Sequence, residues 1–201
     1  MDYKVLAEFY IVEGKLFRRC ADIVMEGAEK KEIDAYIVMM NPGSCCPKDD
    51  STIKNLEKDK IGNKNNLNLS DAIADNAQKI VMGLMKDLGY NHVRLLNLSD
   101  ICSANSKEAN KIAGELSDYQ SVFSEKRRKE LDELTKEEAP FILGWGVGYK
   151  NFYKYKEMAI CFLKNKQVFG YKKDNVNYYY VGNNYEYSQE ARRVIKEQLK
   201  L

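Results

Sequence analysis

The chain has 201 residues, of which 44% are hydrophobic and 31% are charged. This composition indicates a globular chain with enough apolar side chains to build a core, and it excludes a disordered one. The formal net charge is only +2, so the overall charge gives no reason to expect a strong nucleic-acid binder.

The first part of the chain predicts a hairpin, a buried strand and a long loop. Residues 3–12 and 16–25 are extended segments on either side of a turn at residues 13–15. Residues 35–40, AYIVMM, form an apolar run without polar alternation, which is typical of a strand covered on both faces in a parallel sheet. Residues 41–69 are rich in Asn, Lys, Asp and Gly and predict a long loop.

From residue 70 onward the pattern predicts helices that alternate with strands. Helices are expected where a capping residue precedes apolar residues at spacings of three and four. The predicted helices lie between Ser70 and Gly89, at 107–116 and 124–137 with Ser106 and Ser124 as caps, at 149–165, and at 188–200 with Ser188 as cap. The predicted strands are 92–98, 141–146, 167–171 and 175–182.

This order of elements predicts a three-layer α/β sandwich with a mostly parallel central sheet. The chain contains no internal repeat, linker or low-complexity segment. Residues 1–201 are therefore expected to form a single domain, in which an N-terminal hairpin, residues 1–30, packs on a core formed by residues 31–201.

Candidate site residues follow the predicted strands, because ligands bind beyond the carboxyl ends of the strands in open α/β sheets. If these strands are parallel, the groups that follow them meet at one edge of the sheet. The residues in question are Asn41, Pro42, Gly43 and Ser44, then Asn97, Ser99 and Asp100, then Trp145, Gly146 and Gly148, and finally Asn183, Asn184 and Tyr185.

Four motifs in these positions carry a family resemblance. They are MMNPGS at 39–44, DDST at 49–52, LLNLSDICS at 95–103 and ILGWGVG at 142–148. A strand that ends in Asn-Pro-Gly resembles the first motif of the uracil-DNA glycosylase superfamily, in its mismatch-specific branch. The whole series, over roughly residues 15–190, is most similar to an uncharacterised bacterial family, a domain of unknown function, with an MNPS or MNPG, DDPT, NL and WG series.

The resemblance implies a uracil-DNA glycosylase-like fold and a catalytic pair, Asn41 and Asn184. Asn41 would orient the water that attacks an N-glycosidic bond, and Asn184 would lie near the departing base. The implied ligand is a nucleobase, a nucleotide or a single-stranded nucleic acid. The ligand-binding residues implied beside the pair are Pro42, Gly43, Ser44, Asn97, Trp145, Gly146 and Tyr185.

One departure from the superfamily leaves a second function open. The segment 181–190, VGNNYEYSQE, lacks the His and Pro of the second motif, and an amide cannot transfer a proton as an imidazole does. The chain is therefore either an N-glycosylase-type hydrolase or a non-catalytic module of the same fold that binds a nucleotide-like ligand or a protein partner.

Several of these residues also have a purely structural interpretation. Asn41-Pro42-Gly43 is sufficient for a tight turn, and Trp145 suits a core as well as a stacking surface. Asp49 and Asp50 could cap a short helix or act as a base or cation ligand with the following hydroxyls.

The tyrosines and cysteines leave similar alternatives. In a strand, the run 178–180 places one face in the core and the other against a ligand or partner. Cys45 or Cys46 would need a histidine to act as a nucleophile, but His92, the only one, begins a strand and belongs at the opposite edge of the sheet.

Cofactors, membrane partners and location follow from composition. The five cysteines are odd in number and scattered, which favours reduced thiols over a disulfide framework. With a single histidine, neither a metal site nor another cofactor is predicted. The chain lacks an apolar run of the roughly 18 residues that cross a membrane and a signal-peptide pattern, so a cytoplasmic protein without a membrane partner is expected.

Overall fold

In a computed structural model, the chain forms a sheet with helices on both faces. The structure describes residues 2–28, 32–62, 67–115, 118–180 and 186–199. The strands are β1 (Tyr3–Val12), β2 (Lys15–Met25), β3 (Ala35–Met39), β4 (Cys46–Pro47), β5 (Lys54–Asn55), β6 (Ser70–Ile73), β7 (His92–Asn97), β8 (Phe141–Leu143) and β9 (Val168–Phe169). The helices are α1 (Asn76–Leu88), α2 (Ser106–Glu115), α3 (Arg128–Leu134), α4 (Tyr153–Leu163) and α5 (Glu186–Leu199).

The nine strands of the described residues form one mixed sheet, in the order β4-β6-β1-β2-β7-β3-β8-β9, with β5 beside β1. The strands β7, β3, β8 and β9 are parallel, whereas β2 pairs antiparallel with both β1 and β7. The prediction of a mostly parallel sheet is therefore wrong. The physical reason is the tight turn at residues 13–14, with φ of 51° and 74°, which returns the chain as a second long strand inside the same sheet.

Two of the three apolar clusters in the described residues lie on opposite sides of the sheet at β3. Tyr36 and Val38 of β3 pack in the cluster that contains residues of α2, α3 and α4. Ile37 and Met39 alternate to the other side and pack in the cluster that contains residues of α1 and α5. The predicted burial of this strand on both faces is confirmed, because all five residues of β3 are buried.

Several predicted element boundaries are wrong because local hydrogen bonds differ from those expected. Ser70 begins β6, and α1 starts only at Asn76, where Asp75 and Gln78 form a reciprocal capping box. Asn105 is the residue whose side chain accepts from the first N–H groups of α2. Ser188 lies inside α5.

Two other predicted elements are only partly present. In place of a strand at 175–182, the described part shows only isolated bridges at Tyr178, and residues 181 and 182 lie outside the description. The predicted loop 41–69 contains two short strands and two turns of 3₁₀ helix in its described part. No helix in the described residues has both the length and the apolar character needed to cross a lipid bilayer.

The parallel half of the sheet has a topological switch point beside β3. From β3 the chain passes through α1 to β7 on one side, and it then returns through α2 and α3 to β8 on the other side. Because the two connections run on opposite faces of the sheet, they leave a crevice between the carboxyl ends of β3 and β8. The fold therefore places the segments after these two strands around a common opening.

Candidate functional site

A cavity of about 370 Å³ lies at this switch point. Its wall consists of the segments that follow β3 and β8, the first residues of α1, the residues at the start of α2, and Tyr180. Of the predicted site residues, the structure brings together Asn41, Gly43, Ser44, Trp145 and Gly146 in this wall.

Asn41 is held in one orientation by the loop that follows β7. Its Nδ2 donates hydrogen bonds to the backbone oxygens of Ser103, at 2.8 Å, and of Ile101, at 3.3 Å. Because the amide nitrogen is fully committed, the amide oxygen is the atom that Asn41 can offer to a ligand or a water. The side chain therefore enters the cavity as a fixed hydrogen-bond acceptor.

Gly43 brings the turn after β3 against the carboxylate of Asp75. Its φ is +65°, a left-handed conformation that favours glycine, and a Cβ at this position would overlap Oδ2 of Asp75. The other carboxylate oxygen, Oδ1, accepts the backbone N–H of Gln78 at 2.8 Å. One oxygen of Asp75 thus caps α1 while the other faces the turn at the cavity wall.

Beneath this turn, Asn97 and Arg18 bind the backbone. With its amide oriented to suit its neighbours, the fully buried Asn97 donates from Nδ2 to the backbone oxygen of Asn41 at 3.2 Å and accepts from Nη2 of Arg18 at 3.1 Å. Arg18 also donates from Nη1 to the backbone oxygen of Pro42 at 3.5 Å. Neither Asn97 nor Pro42 lines the cavity at the switch point, so both lie behind the site and support it.

Trp145 belongs mainly to the core. It is 2% exposed, its Nε1 donates to the backbone oxygen of Val176 at 2.9 Å, and its ring meets Tyr178 edge-to-face at 5.3 Å between centroids. Trp145 therefore contributes only a small part of its surface to the cavity wall. Gly146 follows in a left-handed conformation, with φ of 83°, and turns the chain toward Tyr149.

A buried lysine holds the loop after β8. Nζ of Lys156 donates to the backbone oxygens of Gly146 at 3.3 Å and Gly148 at 3.1 Å, and to Oδ1 of Asn177 at 2.6 Å. The residue is 1% exposed. Burial lowers the pKa of Lys156 to about 8, although the charge of Asp174 acts in the opposite direction.

Tyr180 completes the wall and keeps its hydroxyl proton. Burial raises its pKa well above the usual value of a tyrosine, and the negative charge of Asp75 adds to the shift. The hydroxyl of Tyr180 is therefore a permanent donor at neutral pH. The predicted residues Asn184 and Tyr185 follow shortly after it in the sequence, but they lie outside the described residues.

The conspicuous acidic and cysteine pairs of the loop lie away from this wall. Oδ1 of Asp49 accepts the N–H of Ser51 at 2.9 Å, so the interpretation as a cap is confirmed for this residue, although the helix has only three residues. Cys45 is buried in the core. His92 begins β7 at the opposite edge of the sheet, with Nε2 3.1 Å from Oδ2 of Asp22.

Asp75, Lys156 and Arg18 contribute to the site but were not predicted from the sequence. The spacing of Asp75 and Gln78 is the signal of a capping box and would have marked Asp75 as the start of α1. Lys156 and Arg18 carry no such signal, because a basic residue in a charged helix or strand resembles a solvent-exposed one.

No protein-family model, curated protein or solved structure matches this chain. The likeness to the glycosylase superfamily therefore stays a prediction that depends on the motifs.

Proposed function

We propose that the protein binds a nucleobase, alone or as part of a nucleoside, nucleotide or single strand, in the cavity between β3 and β8. The supporting observation is the fixed amide of Asn41, whose oxygen is left for a ligand in a wall that also contains Trp145, Tyr149 and Tyr180. Aromatic and apolar walls with a few oriented polar groups are the usual features of a small-molecule site. A volume of about 370 Å³ lies at the low end of the about 300–1,000 Å³ that such sites have.

If the protein is an enzyme, the arrangement suits hydrolysis of an N-glycosidic bond. Asn41 would accept a hydrogen bond from water and orient it, and Asp75 would take the proton as the water oxygen bonds to the anomeric carbon. The electron pair of the broken carbon–nitrogen bond leaves with the base. Since the segment 181–190 contains no histidine, this reaction requires a base that departs readily as an anion.

The alternative is a module of the same fold that binds without catalysis. The observation that favours it is the dual role of Asp75, whose Oδ1 is already bonded to the N–H of Gln78 as a helix cap. This bond holds the carboxylate against the N-terminus of α1, so only Oδ2 is left to act on a water. In this alternative the cavity holds a nucleotide-like ligand, or the surrounding surface binds a protein partner.

One set of measurements distinguishes the enzyme from the binding module. It compares the wild type with Asn41→Ala and uses Asn55→Ala as a matched control. Asn55 is exposed on β5, away from the cavity. Base release from uracil-containing or mismatched oligonucleotides that is lost in Asn41→Ala alone supports the enzyme. Thermal stabilisation by nucleobases or nucleosides without base release, again lost in Asn41→Ala alone, supports the binder. If wild type shows neither base release nor stabilisation, the proposal fails.

A further inference from the structure

The cavity wall carries one charged side chain among the described residues, the carboxylate of Asp75. A phosphate is usually bound by Arg, Lys or free backbone N–H groups. The described residues of the wall therefore offer a phosphate a negative charge and no side-chain cation.

Two buried cations lie behind this wall, and most of their donors are taken, although Nε of Arg18 has no hydrogen-bond partner among the described residues. Arg18 lies behind the turn after β3, where it donates to the backbone oxygen of Pro42 and to Asn97. Lys156 donates to the backbone oxygens of the loop after β8 and to Asn177, and it is 1% exposed. Neither cation lines the cavity.

Two helix N-termini reach the cavity, and both are capped by side chains. Oδ1 of Asp75 accepts the N–H of Gln78 in α1. Oδ1 of Asn105 accepts the N–H groups of Lys107 and Glu108 in α2. These caps occupy one N–H group of α1 and two of α2, donors of the kind that attract an anion. At α1 the cap is itself an anion, placed where a phosphate would approach.

The groups that remain match the polar edge of an uncharged ligand. The amide oxygen of Asn41 and the carboxylate of Asp75 accept hydrogen bonds from ring N–H, exocyclic amino or sugar hydroxyl groups. The hydroxyl of Tyr180 remains a donor, because its pKa is raised by burial. A nucleobase and its ribose present donors and acceptors of this kind without charge.

We infer that the cavity selects an unphosphorylated nucleobase or nucleoside over the corresponding nucleotide, and that Asp75 determines this selectivity. The selectivity rests on the proposed function, since it concerns the same cavity. Like charges in one partly buried site repel each other, and this repulsion is weakened by salt. Discrimination through a like charge is a common way to reject a close analogue.

The test compares the affinities of uridine, thymidine, adenosine and guanosine, and of their free bases, with those of the 5′-monophosphates, by calorimetry at low and high salt. For wild type, at least one nucleoside is expected to bind at least about fivefold more tightly than its monophosphate at low salt, with a smaller ratio at high salt. In Asp75→Asn the ratio is expected to fall below about twofold, because the repulsion is removed.

The variants are chosen so that the fold survives. Asparagine is as good an N-cap as aspartate, and Asp75→Ser provides a second neutral cap. Asp50→Asn removes the same charge from an exposed position in the loop and is expected to leave the ratio unchanged.

Three outcomes overturn the inference. A monophosphate that binds wild type as tightly as its nucleoside overturns it while preserving the proposed function. A ratio unchanged in both Asp75 variants shows that another group provides the selectivity. No binding of any nucleoside, nucleotide or free base overturns both.

Discussion

The turn after β3 and the loop after β8 both line the cavity, but they are fixed by different kinds of group. Asn97 and Arg18 bind the backbone of the turn. Lys156 binds the backbone of the loop, and burial lowers its pKa to about 8. The turn is therefore held by an amide and a guanidinium, whereas the loop is held by a buried amine whose pKa is lowered.

We infer from this difference that the two walls have different roles in binding. The turn presents Asn41 as an acceptor whose position has to be constant if it orients a water or a base. The loop carries Trp145 and Tyr149, which provide apolar surface and tolerate small shifts. A buried ammonium with three acceptors becomes an amine with only two N–H groups when it loses a proton, so one of the three hydrogen bonds to Gly146, Gly148 and Asn177 is lost.

The largest expected effect comes from the turn. Gly43→Ala introduces a methyl group that overlaps Asp75 in a left-handed backbone conformation. Backbone strain and a displaced helix cap together are expected to lower the free energy of unfolding by about 2–3 kcal/mol. Urea denaturation measures the loss.

Gly14→Ala is the matched control for this change. Gly14 has a similar φ of +74°, but an added Cβ would meet no atom within 4 Å. This variant isolates the backbone strain, expected to be about 1 kcal/mol. Equal losses in the two variants would show that the contact of Gly43 with Asp75 does not matter to the fold.

The sequence predicted the β3 side of the site better than the β8 side. The turn formed by Asn-Pro-Gly after an apolar strand can be predicted from these residues alone, because proline and glycine favour the backbone conformations that the turn requires. The antiparallel half of the sheet and the role of Lys156 depend on contacts between distant segments, such as β2 with β7 and Lys156 with Asn177. No local pattern records such pairings, so the mixed sheet and the buried lysine emerged only in the structure.

The next largest effect concerns the loop and pH. The pKa of Lys156 is lower in the folded protein than its usual 10.5, so between pH 8 and 10.5 the unfolded chain binds more protons at this residue. The free energy of unfolding therefore rises with pH through this window. In Lys156→Met this contribution, on the order of 2 kcal/mol, is expected to disappear.

The measurement is the difference between wild type and variant in urea denaturation at pH 7.5 to 10.5, because tyrosines titrate in both proteins. Lys164→Met, at the exposed end of the same helix, is expected to follow wild type throughout. A Lys156→Met profile parallel to that of wild type would mean that the lysine is not perturbed by burial, and the contrast between the two walls would be lost.

The smallest effect tests the third wall, where Tyr180 is expected to behave like the turn and not like the loop. Tyr180→Phe removes one donor without changing the ring, so any ligand that accepts its hydrogen bond should bind about three- to tenfold more weakly. Because the raised pKa keeps the hydroxyl of Tyr180 protonated, this loss of affinity should be the same at every pH from 6 to 9. In Lys156→Met, by contrast, the way in which ligand affinity varies with pH should differ from that of wild type. Tyr187→Phe, on an exposed ring outside the cavity, serves as control. If the loss of affinity in Tyr180→Phe varied with pH, the contribution of this tyrosine to binding would depend on a titrating group, as that of the loop held by Lys156 does.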